Sequence, residues 1–377
     1  MNNYKVIVLG ASGSGKTVFL ASMYKQLSIQ RKESPFFLDV DPEQQRILVQ
    51  KYREIASTNT GWPSATKRDE VSEWLFTCRV QSPIDGRIYP ALQFTYLDYA
   101  GERLIEPQGG SQTDFDAKIR DADALLGILD GRKILALMRN EPDGDDFVNT
   151  DLTIILQDMM RSQNPVHFVI TKWDLLANNN YTLRDVRNRL LEGNDFLEFV
   201  ENRITSFTVR LIPVSSVGMD FAELQPDGSM RKIPGKHPKP LQVEMPLVCV
   251  LPDKFKAQVD ALKEKQAKLL GQPSSALGRT LADLYGIVAG SVVHFLRGFL
   301  LGGFQFADTI IDKLLYFVEL SAEKRKEEAE RLRVQRENTL KAVQNEQTAV
   351  EHAVTSYLVL VRQLERDFPD SVFYRLT

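Results

Sequence analysis

The sequence predicts an α/β fold, a mostly parallel six-stranded sheet with helices on both faces, followed by an α-helical C-terminal region. Three observations predict it. From residue 1 to about 220, short apolar runs alternate with helical patterns, the signature of parallel strands joined by crossover helices. The first run leads directly into Gly10-Ala11-Ser12-Gly13-Ser14-Gly15-Lys16-Thr17, a strand–loop–helix junction with glycines where the backbone must turn tightly. Beyond residue 276 only helical patterns remain.

In chain order, strands are expected near 4–9, 72–80, 91–97, 123–129, 166–171 and 207–213. Val6 to Leu9 read as a buried strand and Val18 to Gln26 as the helix after the glycine loop. The second and third strands are joined by Pro83-Ile84-Asp85-Gly86-Arg87, whose Asp-Gly turn signal makes them an antiparallel hairpin on an otherwise parallel sheet. Residues 41–70 form an insertion: a helix from Pro42 to Ala56, then the turn-rich Asn59-Thr60-Gly61-Trp62-Pro63-Ser64. A second insertion, 219–247, is rich in Pro, Gly and Lys and is expected as a surface loop or hinge. A helix from Asp253 to Leu270 follows. Gly271-Gln272-Pro273-Ser274-Ser275 then separates a first domain, 1–270, from a helical domain, 276–377.

The tail opens with an apolar, glycine-bearing stretch, Leu281 to Leu320, in which His294, Arg297, Gln305, Asp308 and Asp312 fall on one narrow helical stripe. Gly286 and Gly290, then Gly298 and Gly302, repeat at the spacing that lets helices approach closely. A helix buried in a small bundle is favoured over a membrane-surface helix, because Asp283, His294, Arg297 and Asp308 interrupt any apolar span of about 20 residues. A single-pass transmembrane helix ranks third. The mixed-charge run Glu323 to Arg331 reads as a solvated helix, and Val350 to Leu364 is apolar enough to pack back on the rest of the chain.

Composition limits the function classes. The chain has 377 residues and a net charge of −3, so nothing in its balance calls for a nucleic-acid partner. Its two cysteines, Cys78 and Cys249, lie far apart among apolar neighbours, which suits a reducing compartment, and its four histidines form no zinc-like cluster. The N-terminus runs straight into the first strand without a secretory pattern. A cytoplasmic location is expected, with peripheral contact at the inner membrane as the alternative.

The chemistry lies in four motifs. G-x-x-x-x-G-K-[ST] at Gly10 to Thr17 turns backbone N–H groups toward anionic oxygens, places Lys16 on the outer phosphates and offers the Thr17 hydroxyl to Mg²⁺. Asp98-Tyr99-Ala100-Gly101-Glu102, at the end of the third strand, supplies a Mg²⁺-linked carboxylate and a glycine close to a γ-phosphate. Thr171-Lys172-Trp173-Asp174 follows the fifth strand, at the edge of the sheet where ligands bind. The Asp174 carboxylate can accept both N–H donors on one edge of guanine, adenine offers no such pair, and the Lys172 stem can cover the ring. Ser215 and Ser216 follow the sixth strand, where a backbone N–H could address the guanine carbonyl. Taken singly, Asp174 could merely cap a helix and Asp98 could be a strand-end turn residue; the order and strand context make them reinforce one another.

Together GASGSGKT, DYAGE, TKWD and SSVG resemble the Ras-like P-loop GTPases of the TRAFAC class, over roughly residues 1–220. The resemblance implies the P-loop NTPase fold, GTP/GDP as ligand and Mg²⁺ as cofactor. It implies that Asp174 specifies guanine, that Gly10, Ser12, Gly13, Ser14, Gly15, Lys16 and Thr17 cradle phosphate, and that Asp98, Gly101, Thr171, Lys172, Ser215 and Ser216 complete the nucleotide site. It implies metal contacts at Thr17, Asp98 and a first-switch threonine, assigned to Thr66 with Thr58 and Thr60 open, and catalytic roles for Lys16, Thr66 and Glu102. Glu102 replaces the usual water-orienting glutamine, so slow hydrolysis is expected, and Ser12 replaces a glycine. The long insertion and Gly61-Trp62-Pro63 resemble the bacterial double-GTPase type. The expected function is a GTP-dependent switch that relays its state to residues 276–377, which bind a partner protein or a second copy. The alternatives are a self-assembling or membrane-associated GTPase, and then an ATP-using P-loop enzyme.

Overall fold

A computed structural model describes residues 4–31, 35–64, 71–99, 111–270, 307–319 and 324–374. Its strands are β1 (Tyr4–Leu9), β2 (Phe37–Asp39), β3 (Val71–Gln81), β4 (Ile88–Tyr99), β5 (Ala124–Asp130), β6 (Val166–Thr171), β7 (Val209–Pro213), a separate β8 (Ala222–Leu224) and β9 (Met230–Lys232), and β10 (Val372–Phe373). The central sheet runs β10-β7-β6-β5-β1-β4-β3-β2. β4, β1, β5, β6 and β7 are parallel, and the Asp-Gly turn makes β3–β4 the expected antiparallel hairpin.

The sheet is therefore eight-stranded and mixed, a correction to the six-stranded, mostly parallel expectation. The two extra strands, β2 on β3 and β10 on β7, are both antiparallel edges. With three and two residues they are too short to carry a period-2 pattern. The six expected strands are all present.

Strand β1 is buried on both faces, which fixes the layering. Tyr4, Val6 and Val8 point into one core with Phe19, Leu20, Phe76 and Phe94, while Ile7 and Leu9 point into the other with Leu125, Ile155, Phe168 and Phe196. Helix α1 (Lys16–Leu27) contributes Phe19 and Leu20 to the first face, while α4 (Gly131–Met138), α6 (Thr153–Met160) and α9 (Asn194–Arg203) contribute to the second. Helix α2 (Pro42–Ala56) starts where Asp41 accepts the N–H groups of Glu43 and Gln44 and Pro42 takes the first turn, as its sequence predicts.

Two glutamine side chains finish the β3 edge on either side of the short β2. Gln44 donates to Glu73 O at 2.7 Å and accepts from Leu75 N at 3.3 Å; Gln30 donates to Gln81 O at 3.1 Å and accepts from Gln81 N at 2.6 Å. A primary amide has one donor and one acceptor at strand spacing, so each occupies the backbone groups that another strand would seek.

The C-terminal helices α12 (Ala307–Glu319), α13 (Lys324–Lys341) and α14 (Glu346–Asp367) share the first core. Helix α14 opens with an Asn345–Thr348 capping box and packs back, as expected, with Val354, Tyr357 and Leu358 in that core and the Tyr357 ring 5.0 Å from Phe36. A buried charge network ties it down. Arg210 of β7 pairs with Asp253 at 2.5 and 2.8 Å and with Glu365 at 3.1 Å, and Glu365 also takes Arg362 at 2.6 Å. Asp253 lies on α11 (Val250–Leu270), so sheet, α11 and α14 meet at one cluster. The expected boundary at 271–275, the glycine pairs, and His294, Arg297 and Gln305 lie outside the described residues. No helix among those described is long and apolar enough to cross a membrane.

Candidate functional site

At the carboxyl end of β1 the chain turns through Gly13 (φ 76°) and Gly15 (φ 92°), left-handed positions that favour glycine, and enters α1 at Lys16. Lys16 is folded back under this loop, its Nζ donating to Gly10 O at 2.8 Å and Ala11 O at 3.1 Å. Burial lowers its pKa, and the nearby Asp98 charge works against that shift. Asp98, buried near the end of β4, is the register partner of Val8 on β1. Thr171 stitches the loop to the sheet, donating from Oγ1 to Ser14 O at 2.6 Å and Leu129 O at 3.2 Å.

Lys172 has φ 50°, which directs its side chain across the loop instead of along α7 (Trp173–Asn178). Its Nζ reaches Gly13 O at 3.0 Å and both Asp130 oxygens at 2.8 and 2.9 Å. Asp130 was missed by sequence reasoning, although an acid at the carboxyl end of a parallel strand was the available signal. It holds the Lys172 ammonium in place and accepts Arg132 N–H at 2.9 Å.

Asp174 is 1% exposed. Ser215 donates to its Oδ1 at 2.6 Å, while its Oδ2 accepts no hydrogen bond from the described residues. Burial raises the Asp174 pKa, with the Ser215 hydrogen bond and the Lys172 charge pulling it back. Ser215 in turn accepts Gly218 N–H at 2.9 Å, and Gly218 needs to be glycine there: its φ is 88° and a Cβ would stand 2.3 Å from Lys239 O.

These groups border one cavity of about 300 Å³. Ser12, Gly13, Gly15, Lys16, Thr17 and Val18 line one part, and Thr171, Lys172, Asp174, Ser216 and Val217 another. The structure thus brings together most of the expected residues. Ser215 stands behind Asp174 as its hydrogen-bond donor, and Gly10, Ser14 and Asp98 do not line the cavity. Thr66, Gly101 and Glu102 lie outside the described residues. Of the alternatives to Thr66, Thr60 spends its hydroxyl on Glu54 O and Ser57 O, and neither it nor Thr58 lines the cavity.

Trp62, Pro63, Ser64 and Met230 form the rest of the wall. They come from the two insertions, which pack on each other through Ile55, Phe221 and Ala222 in a cluster that Ala21 of α1 and Val217 complete. The second insertion is thus a β8–β9 hairpin seated beside the site, where the sequence suggested a surface loop or hinge. Its two three-residue strands are too short to signal themselves.

No family model and no curated protein matches the sequence. Among solved structures, the chain is similar to one titled signal recognition particle receptor SRb-GTP/SRX complex from Chaetomium thermophilum, with 13% identity over 58% of this chain and 93% of that one, and a TM-score of 0.32. It is also similar to bacterial selenocysteine-specific elongation factor EF-Sec, with 13% identity over 57% of this chain, 26% of that one and a TM-score of 0.26. What this chain binds has to be decided by its own residues.

Proposed function

We propose that the chain is a P-loop GTPase that binds GTP with Mg²⁺ in this cavity, hydrolyses it slowly to GDP, and passes the nucleotide state to its C-terminal helices. The observation that carries the guanine assignment is the Asp174 carboxylate, buried, aimed by Ser215 and with Oδ2 accepting nothing from the described residues. A buried acceptor is costly unless a donor meets it, and the guanine edge brings two N–H groups.

The remaining roles follow from position. The glycine loop offers N–H groups to the phosphates, and Lys16, released from the Gly10 and Ala11 carbonyls, adds a charge. Thr17 and Asp98 supply a hydroxyl and a carboxylate, the hard oxygen donors that suit Mg²⁺, with Thr66 as the proposed third. The metal would neutralise phosphate charge. Lys172, fixed by Asp130, covers the base with its aliphatic stem.

In hydrolysis a water oxygen bonds to the γ-phosphorus and the bond to the β–γ bridging oxygen breaks, giving GDP and inorganic phosphate. Glu102, an anion beside an anionic phosphate, is a poor group for orienting that water, which motivates slow turnover. Ser12, on the cavity wall, narrows the approach for a cation supplied by a partner.

Exchange of Asp174 for Asn tests the base assignment. An amide meets the two guanine donors with only one acceptor, whereas xanthine, with a carbonyl at that carbon, matches an amide's acceptor and donor. Asp174→Asn is expected to weaken GTP binding at least tenfold, about 1.4 kcal/mol, and to improve XTP binding. Unchanged GTP affinity would refute the guanine assignment. Comparing Glu102→Gln with wild type over a range of protein concentrations tests the hydrolysis proposal, and a wild-type rate per molecule that does not change with concentration argues against catalysis by self-association.

A further inference from the structure

The ammonium of Lys232 sits in a cage of main-chain carbonyls. It donates to Ser57 O at 2.9 Å, Gly61 O at 3.0 Å, Thr60 O at 3.1 Å and also to Glu54 O, and the residue is 7% exposed. Lys232 is the last residue of β9, whereas the carbonyls belong to the end of α2 and the loop after it. An ammonium has three protons, so four carbonyls use its capacity fully and no single neutral side chain replaces it.

The loop held in this way is the cavity wall. The Lys232 ammonium lies 4.8 Å from the Trp62 ring centroid, Trp62 Nε1 donates to Met230 O at 2.6 Å, and the indole edge meets Phe221 at 6.3 Å. Trp62, Pro63 and Ser64 then border the same space as Lys16, Thr17 and Asp174. The hydrogen bond, ring contact and cation contact of Trp62 thus all come from the second insertion, which contributes Met230 to the cavity, while Ala21, Ile55 and Val217 share the apolar cluster on which Trp62 packs. The outer face of that hairpin is polar and accessible, with exposed Arg231 paired to the half-buried Glu223.

We propose that Lys232 is a positioning residue that sets the residence time of the nucleotide: it latches the Ser57–Ser64 loop shut, and displacement of the β8–β9 hairpin opens the wall and releases the ligand. This rests on the guanine nucleotide site proposed above and adds its regulation. The latch acts on the wall and touches neither the phosphate cradle nor Asp174. Its loss raises the dissociation rate constant and leaves the preference for guanine over adenine unchanged, a split that general damage to the fold would not produce.

The experiment is displacement of a fluorescent GDP analogue by excess GDP in stopped flow, on the full chain, for wild type, Lys232→Met and Trp62→Phe. Lys232→Met keeps the stem and removes the charge; Trp62→Phe keeps a ring and removes the donor to Met230, so it serves if Lys232→Met fails to fold. Dissociation is expected to quicken by about tenfold or more in Lys232→Met, as for the loss of one charge-assisted contact set, and by a few-fold in Trp62→Phe, with the GDP-to-ADP preference retained. Wild-type dissociation rates in the folded variants would overturn the latch while leaving the guanine site standing. A wild-type chain that binds no guanine nucleotide would overturn the site and the latch together.

Discussion

Ser215 Oγ donates to Asp174 Oδ1 at 2.6 Å while accepting Gly218 N–H at 2.9 Å, so the one proton of the hydroxyl is committed to the carboxylate. The arrangement fixes the carboxylate plane and favours its charged form against the burial that opposes it.

Guanine nucleotide affinity is expected to fall on acidification, because a protonated Asp174 meets the guanine donors with a donor of its own. Burial raises the Asp174 pKa, so the loss begins at a higher pH than for an ordinary aspartate. Ser215→Ala removes a contact that lowers that pKa and so moves the onset higher still. At neutral pH it costs about 1 kcal/mol of binding, ~5-fold. Isothermal titration of GDP from pH 8 to pH 5 checks this; a profile that Ser215→Ala leaves in place would contradict it.

Lys16→Met is expected to separate phosphate from base. The Lys16 ammonium is the charged group beneath the glycine loop, so its removal weakens GTP binding by about 2 kcal/mol, ~30-fold, while guanosine, which carries no phosphate, binds as before. Equal losses for GTP and guanosine would show that the substitution damaged the pocket instead.

Acid should destabilise the fold through two buried histidines. His352 contacts Thr339 Oγ1 at 3.0 Å and Pro35 O at 3.2 Å, joining α14 to α13 and to the start of β2, and burial lowers its pKa to about 4. His167, beside Asp253, is likewise lowered to about 4. Both titrate near 6.5 in the unfolded chain, so the unfolded state binds more protons between those values. Their contribution is complete above about pH 6.5 and is lost as pH falls toward 4, at up to ~1.4 kcal/mol per pH unit for each. Urea unfolding midpoints should drop from pH 7 to pH 5, and His352→Gln should flatten the drop; a flat wild-type profile would contradict this.

The glutamine-finished sheet edge makes a separate prediction. Gln30→Ala with Gln44→Ala uncovers the backbone groups of Glu73, Leu75 and Gln81 on β3, beside the exposed Leu75 side chain. Concentration-dependent self-association beyond that of wild type is expected by sedimentation velocity. Identical profiles would show that the edge is protected by something else.

Much of this was legible in the sequence because the signals are local. Val6 to Leu9 followed by the glycine loop gave the strand, turn and helix; Asp85-Gly86 gave the hairpin; and Asp41-Pro42 gave the start of α2. What escaped depends on partners distant in sequence. The 219–247 insertion reads as a loop because its strands are three residues long, and nothing local marks Lys232, whose cage lies more than 170 residues upstream. Asp130 acquires its role only once Lys172 adopts a left-handed backbone conformation and reaches across to it. β10 is two residues at a sheet edge, a length at which no pattern can form.

The most direct test of the central claim is competition binding on wild-type chain in the presence of Mg²⁺, with a fluorescent GDP analogue displaced by GTP or by ATP. GTP is predicted to displace it at least a hundredfold more effectively than ATP, about 2.7 kcal/mol, the scale expected when a buried carboxylate gains or is denied both its donors. Equal displacement by ATP, or none by either nucleotide, would contradict a guanine site built on Asp174.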